Sequence, residues 1–214
     1  MTLTPEVSED PLTALASPPE GASVVELRVD LFPGLDIAGA AAACPLPVLA
    51  TCRSVAEGGS GPVDPGDRAE VLGRARDGGA ALIDVEYARD LETARRIGIP
   101  SEQTVLSWHD VSATPGDLAQ TAAAMLACPA HHVKIVPFAE RLEDIERVLA
   151  LFEPAGRGRS RLIAFAMGTV GMATRILGPL LGSPITYAAW RRDAPAAPGQ
   201  LSVTRMEAIA GHLE

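Results

Sequence analysis

Apolar positions along the chain fall into short continuous runs, at 22–30, 46–53, 81–87, 104–110, 131–137, 161–168 and 184–190. Between them lie stretches with helical spacing of apolar positions, such as Asp67–Asp77, Thr114–Ala127 and Arg141–Phe152. Continuous apolar strands alternating with helices mark a parallel sheet covered on both faces. Seven such runs, with a short extra strand near Thr2–Leu3, predict an α/β fold: a (β/α)8 TIM-type barrel whose first strand is short or incomplete. No composition break or long linker divides the chain, so residues 1–214 are expected to form a single domain. An open doubly wound sheet is the alternative, but it would usually carry a Gly-rich phosphate loop after its first strand, and none follows here.

Polar residues interrupt these runs at a spacing of two. Glu26, Arg28 and Asp30 alternate in the first run, Thr51 and Arg53 in the second, Asp84 and Glu86 in the third, and Ser107 and His109 in the fourth, while Lys134 lies in the fifth. Residues two apart on a strand share a face. At the carboxyl ends of barrel strands the inward face forms the active site, so Glu26, Arg28, Arg53, Glu86, His109 and Lys134 are expected to converge on one cavity. Each has a blander reading: Asp84 and Glu86 as buried partners of cations, His109 as a core histidine. His131 and His132 are adjacent, so a strand would turn them to opposite faces and make a poor metal pair. Asp36 and Asp64 read as turn residues.

Composition changes this picture in one respect. The 18 basic residues divide into 17 arginines and one lysine, Lys134, set between Val133 and Ile135. Arginine stays protonated, whereas a buried lysine can give up its proton and act as a nucleophile. The net charge of −9 excludes a general affinity for nucleic acid or anionic membranes. An acidic ligand would need a site with cations of its own. Three scattered cysteines argue against disulfides and structural zinc, and no metal is expected. No signal-like N-terminus or membrane-length apolar run is present, so a cytoplasmic location is expected.

Six ordered segments resemble the type I 3-dehydroquinate dehydratase family, over about Val24 to Leu201: ELRVD at 26–30, TCRSVAEGG at 51–59, SWHDVSATP at 107–115, HHVKIV at 131–136, MGTVGMATRILG at 167–178 and APGQ at 197–200. The resemblance implies conversion of 3-dehydroquinate to 3-dehydroshikimate and water by syn elimination, in the shikimate pathway of aromatic amino acid biosynthesis. It implies that Lys134 forms a Schiff base with the substrate ketone, that His109 moves the proton, and that Glu57 orients His109. It further implies that Glu26, Arg28, Arg53, Arg175 and Gln200 bind substrate. It implies no cofactor and a possible homodimer. Two departures stand out: Ala196 occupies a lid position that is often serine, which implies one fewer lid hydrogen bond, and few residues precede the first clear strand. The competing readings are a non-catalytic barrel binding a metabolite or partner, a class I aldolase using the same lysine, and a metal-dependent lyase using Asp84 and Glu86.

Overall fold

A computed structural model of the chain describes residues 1–155 and 161–212. Seven strands form one all-parallel sheet in sequence order: β1 (Thr2–Leu3), β2 (Val25–Arg28), β3 (Val48–Thr51), β4 (Leu82–Glu86), β5 (Thr104–His109), β6 (His132–Val136) and β7 (Leu162–Ala164). Helices α1 (Pro11–Leu15), α2 (Ile37–Ala43), α3 (Pro65–Asp77), α4 (Leu91–Arg96), α5 (Leu118–Leu126) and α6 (Leu142–Leu149) fill the crossovers, and α7 (Gly168–Leu180) and α8 (Val203–Ala210) follow β7. This is the alternation of a (β/α)8 barrel.

The strands are buried on both faces, which is why they read as unbroken apolar runs. Outward residues such as Leu27, Ile83, Leu106, Val133 and Ile135 pack in the main core under the helices. Inward residues Leu49, Val105, Val136, Ile163 and Phe165 form a second cluster inside the barrel. Helix starts follow local chemistry. The Asp64 carboxylate accepts from the amides of Gly66 and Asp67 ahead of Pro65, and Asp10 does the same for Leu12 and Thr13 ahead of Pro11. Asp36 stands at the corresponding place before α2.

The expected first strand is present but only two residues long, pairing Thr2 with Glu26 and Leu3 with Leu27. The expected strand at 184–190 differs. This segment lacks a ladder and touches its neighbours through single bridges, Thr2 with Ala189 and Ala189 with Ser202. Its backbone bonds go to Thr2 on one side and to Leu201 and Val203 on the other. Bonding to the segment before α8 uses the groups that a β7 ladder would need, so sequence apolarity alone did not decide the pairing. The seven-strand sheet is therefore curled into a barrel whose eighth position is an extended segment.

Candidate active site

The carboxyl ends of the strands open onto a cavity of about 300 Å³. The eight site residues that the resemblance implies all line it, Glu26, Arg28, Arg53, Glu57, His109, Lys134, Arg175 and Gln200, whereas Glu86, expected from its strand spacing to join them, does not and instead accepts from Arg53. Period-two spacing on β2, β5 and β6 brings Glu26, His109 and Lys134 inward from three separate strands.

Lys134 is 3% exposed. Its Nζ lies 3.4 Å from Glu26 Oε1 and 3.6 Å from Asp84 Oδ2, so it is paired with two carboxylates. The ring of Tyr187 lies beneath the same nitrogen, with its centroid 4.2 Å away. Glu26 accepts from Thr2 Oγ1 at 2.7 Å and Thr51 Oγ1 at 3.0 Å. Burial alone would raise its carboxyl, but Lys134, Arg28 and the Thr2 hydroxyl outweigh that and hold it at about 2.

His109 Nδ1 is 2.8 Å from Glu57 Oε2, so this bond fixes the ring and leaves Nε2 for chemistry. Burial, and then the charges of Arg53, Lys134, Arg28 and Arg175, hold the imidazole neutral well below its usual range. Burial pushes Glu57 up to about 8, although Arg53 opposes the rise. The pair therefore holds one proton in a shared hydrogen bond near neutral pH.

Arg53 is the hub of the buried polar layer. Its Nη1 donates to Glu57, Glu86 and Ser107, and its Nη2 donates to Asp84 at 2.7 Å. Glu86 and Asp90 in turn engage Arg68, which is 1% exposed. Asp84 and Glu86 thus meet cations, the blander of their two readings. Arg28 donates twice to Asp30, at 2.8 and 2.7 Å.

Arg175 is different. It is 1% exposed, makes no salt bridge among the described residues, and its Nε has no hydrogen-bond partner there. Its Nη1 donates to the Tyr187 carbonyl at 3.4 Å, and its guanidinium sits 4.2 Å over the Phe165 ring. Burial lowers it to about 10, so it still carries its charge at neutral pH. A buried cation with no directly paired carboxylate is costly unless a ligand supplies one.

At the rim, Gln200 Oε1 accepts from the Ala196 amide at 2.8 Å and its Nε2 donates to Thr2 Oγ1 at 3.4 Å. The loop 196–198 is therefore tied to β1, and through Thr2 to Glu26. Thr2 and Tyr187 were not named as polar site positions from sequence, and Thr51 was noted only as sharing a face with Arg53. The inward register of Thr2 opposite Glu26 was the available signal, but it depends on a pairing across 24 residues. His131 and His132 stack edge to face at 4.3 Å, and no cluster of three or more potential metal ligands occurs among the described residues.

Fold and site together define an α/β barrel with an amine-centred, cation-lined pocket at the carboxyl ends of its strands. A profile of the family described as Type I 3-dehydroquinase matches residues 3–213. The chain belongs to that family. It is 37% identical over 191 residues to a 3-dehydroquinate dehydratase of Dehalococcoides mccartyi, covering 87% of this chain and 84% of the relative. It is 32% identical over 220 residues to that of Methanosarcina acetivorans, covering 95% and 90%. Among solved structures, 3-dehydroquinate dehydratase from Geobacillus kaustophilus superposes with a TM-score of 0.74 at 26% identity, over 89% of this chain and 80% of that one. The Enterococcus faecalis structure has a TM-score of 0.78 at 21% identity, over 96% and 89%, a likeness of fold alone.

Proposed function

We propose that this chain is a 3-dehydroquinate dehydratase, a hydro-lyase of the shikimate pathway acting through a Schiff base on Lys134. The carrying observation is that one cavity holds both the buried amine of Lys134 and the buried guanidinium of Arg175, which makes no salt bridge among the described residues. Such a site suits a small ligand bearing both a ketone and a carboxylate. Arginine's planar fork grips a carboxylate through two parallel hydrogen bonds.

In the proposed route, Lys134 Nζ attacks the C3 ketone and the carbinolamine loses water to give an iminium. His109 Nε2 takes a proton from C2, and the C–H electrons pass into an enamine. The enamine then expels the C1 hydroxyl, which leaves as water after taking a proton from His109. Hydrolysis of the conjugated iminium returns the water lost at the first stage and frees Lys134, so the net change is loss of one water. Glu57 holds the His109 ring so that Nε2 bears the lone pair. Glu26, Arg28, Arg53 and Gln200 complete the polar wall around the ligand. The route calls on no metal or organic cofactor. Residues 1–214 act as one catalytic domain, in the cytoplasm, and a homodimer is the proposed assembly. No helix among the described residues is long and apolar enough to cross a membrane.

Turnover is measured as the rise of conjugated-enone absorbance on adding 3-dehydroquinate, with a parallel sample treated with borohydride. Loss of activity with borohydride only when substrate is present, and a mass adduct on Lys134, are the expected results. Lys134→Ala should abolish enone formation while unfolding at a midpoint close to the parent's. A folded parent giving no enone would overturn the proposal and favour a barrel that binds its ligand without turning it over.

A further inference from the structure

The cavity's two innermost cations rest on aromatic faces. Lys134 Nζ lies 4.2 Å from the Tyr187 centroid, and the Arg175 guanidinium lies 4.2 Å from that of Phe165. The two rings pack on each other at 5.4 Å with a tilt of 42°, each offering its own face to one cation. Tyr187 is 4% exposed, and its hydroxyl has no hydrogen-bond partner among the described residues. The ring is thus not held in place by a bond through its oxygen. Burial and the nearby Glu26 and Asp84 push the phenol well above its usual range, so the ring stays neutral.

We infer that the face of Tyr187 is an electrostatic seat for positive charge on Lys134 Nζ, and so stabilises the iminium through which the reaction passes. This rests on the proposed Schiff-base route. The chemistry favours a ring over a further carboxylate at this place. An aromatic face attracts a cation within about 6 Å of its centroid. It takes no proton from the amine, and its attraction acts wherever Nζ carries positive charge, the iminium included. Glu26 and Asp84, 3.4 and 3.6 Å from the same nitrogen, supply the rest of the compensation.

Tyr187 has a second duty in the same place. A further cavity of about 240 Å³, lined by Val24, Leu49, Ile185 and Met206 among others, shares Glu26 and Tyr187 with the active cavity. Tyr187 therefore forms part of the partition between the two.

The test replaces Tyr187 with phenylalanine and then with its mono-, di- and trifluorinated forms, which keep shape while draining the ring face of electron density. Cation–ring energies of this kind correspond to roughly five- to thirty-fold in rate. We expect log kcat to fall stepwise with fluorination, by about ten-fold overall. The amount of borohydride-trapped adduct at saturating 3-dehydroquinate should fall in parallel, with little change in KM. Tyr187→Leu should match the most fluorinated ring, and Tyr187→Phe should recover most of that loss. A kcat that is flat across the fluorinated series, in variants with unchanged melting temperature, would overturn the inference. Absence of any trapped adduct in the parent would remove the Schiff-base route itself, a separate failure visible before any variant is made.

Discussion

The proton between Glu57 and His109 decides whether Nε2 is a base. If it sits on His109 Nδ1, Nε2 carries a lone pair. If it sits on Glu57, the ring must carry its hydrogen on Nε2 and cannot accept another. Burial holds Glu57 at about 8, so the competent form gains population as pH rises through that value. The rate should therefore rise with pH across about 7 to 9. Glu57→Gln can still accept from Nδ1–H but cannot titrate, so its rate profile should lose this rise. A variant profile that still rises with the parent's midpoint would assign the titration elsewhere. Arg175 makes a paired prediction. Its buried charge makes no salt bridge among the described residues, so Arg175→Met should leave the urea midpoint unchanged or higher. The same change should raise KM roughly ten- to a hundred-fold, through loss of charge-assisted hydrogen bonds to substrate. A lower midpoint with unchanged KM would make Arg175 a structural residue.

At the scale of elements, Glu26 joins β2 to β1, β3 and β6, through Thr2, Thr51 and Lys134. Its carboxyl is held at about 2, below the ordinary 4.5. A group depressed in the folded state contributes stability above its unfolded value and loses it as pH falls through the folded one. That contribution, about 3 kcal/mol when whole, should vanish between pH 4.5 and 2. Chemical unfolding followed across this range checks it: Glu26→Gln should show a shallower acid decline than the parent, and an equal decline would sink the assignment. The strands that carry these residues were legible because burial on both faces leaves an unbroken apolar run, and because an inward polar residue breaks it every second place. Asp64 before Pro65 and Asp10 before Pro11 were equally local, each cap being complete within three residues. Lys134 was expected in the same cavity as Glu26, but the Thr2 partner of Glu26 was not legible. A threonine in a two-residue strand carries no period, and Tyr187 reads as an ordinary apolar position until the segment around it is seen beneath Lys134. The segment at 184–190 misled for the same reason, since apolarity reports burial but not which neighbour takes the hydrogen bonds.

For the molecule as a whole, barrel closure is the uneven part. Strands β2 to β6 are joined by ladders, whereas among the described residues the backbone of 184–190 is held to other backbone only by isolated bridges and single bonds, through Thr2, Leu201 and Val203, with side-chain bonds from Ser183, Thr186 and Arg175 beside them. Local opening is least costly where few bonds must break, so amides at 184–201 should exchange with solvent far faster than those of β4 to β6. Substrate would change this, because the proposed contacts straddle the seam. Arg175 lies on α7, and its carbonyl accepts from Thr186 while its Nη1 reaches the Tyr187 carbonyl. Gln200 ties the rim loop to Thr2, and Glu26 stands on the far side. A ligand gripped by Arg175, Gln200 and Glu26 together would link the segment to β2 across the weakest join, and so stabilise the closed form that it binds. Hydrogen exchange followed by mass spectrometry on Lys134→Ala, which should bind substrate without turnover, measures this directly. Peptides spanning 184–201 should slow by about ten-fold or more at saturation, with β4 to β6 little altered. Equal protection of every strand would mean that ligand stabilises the barrel globally. No change at 184–201 would mean that the eighth position is not part of the binding site.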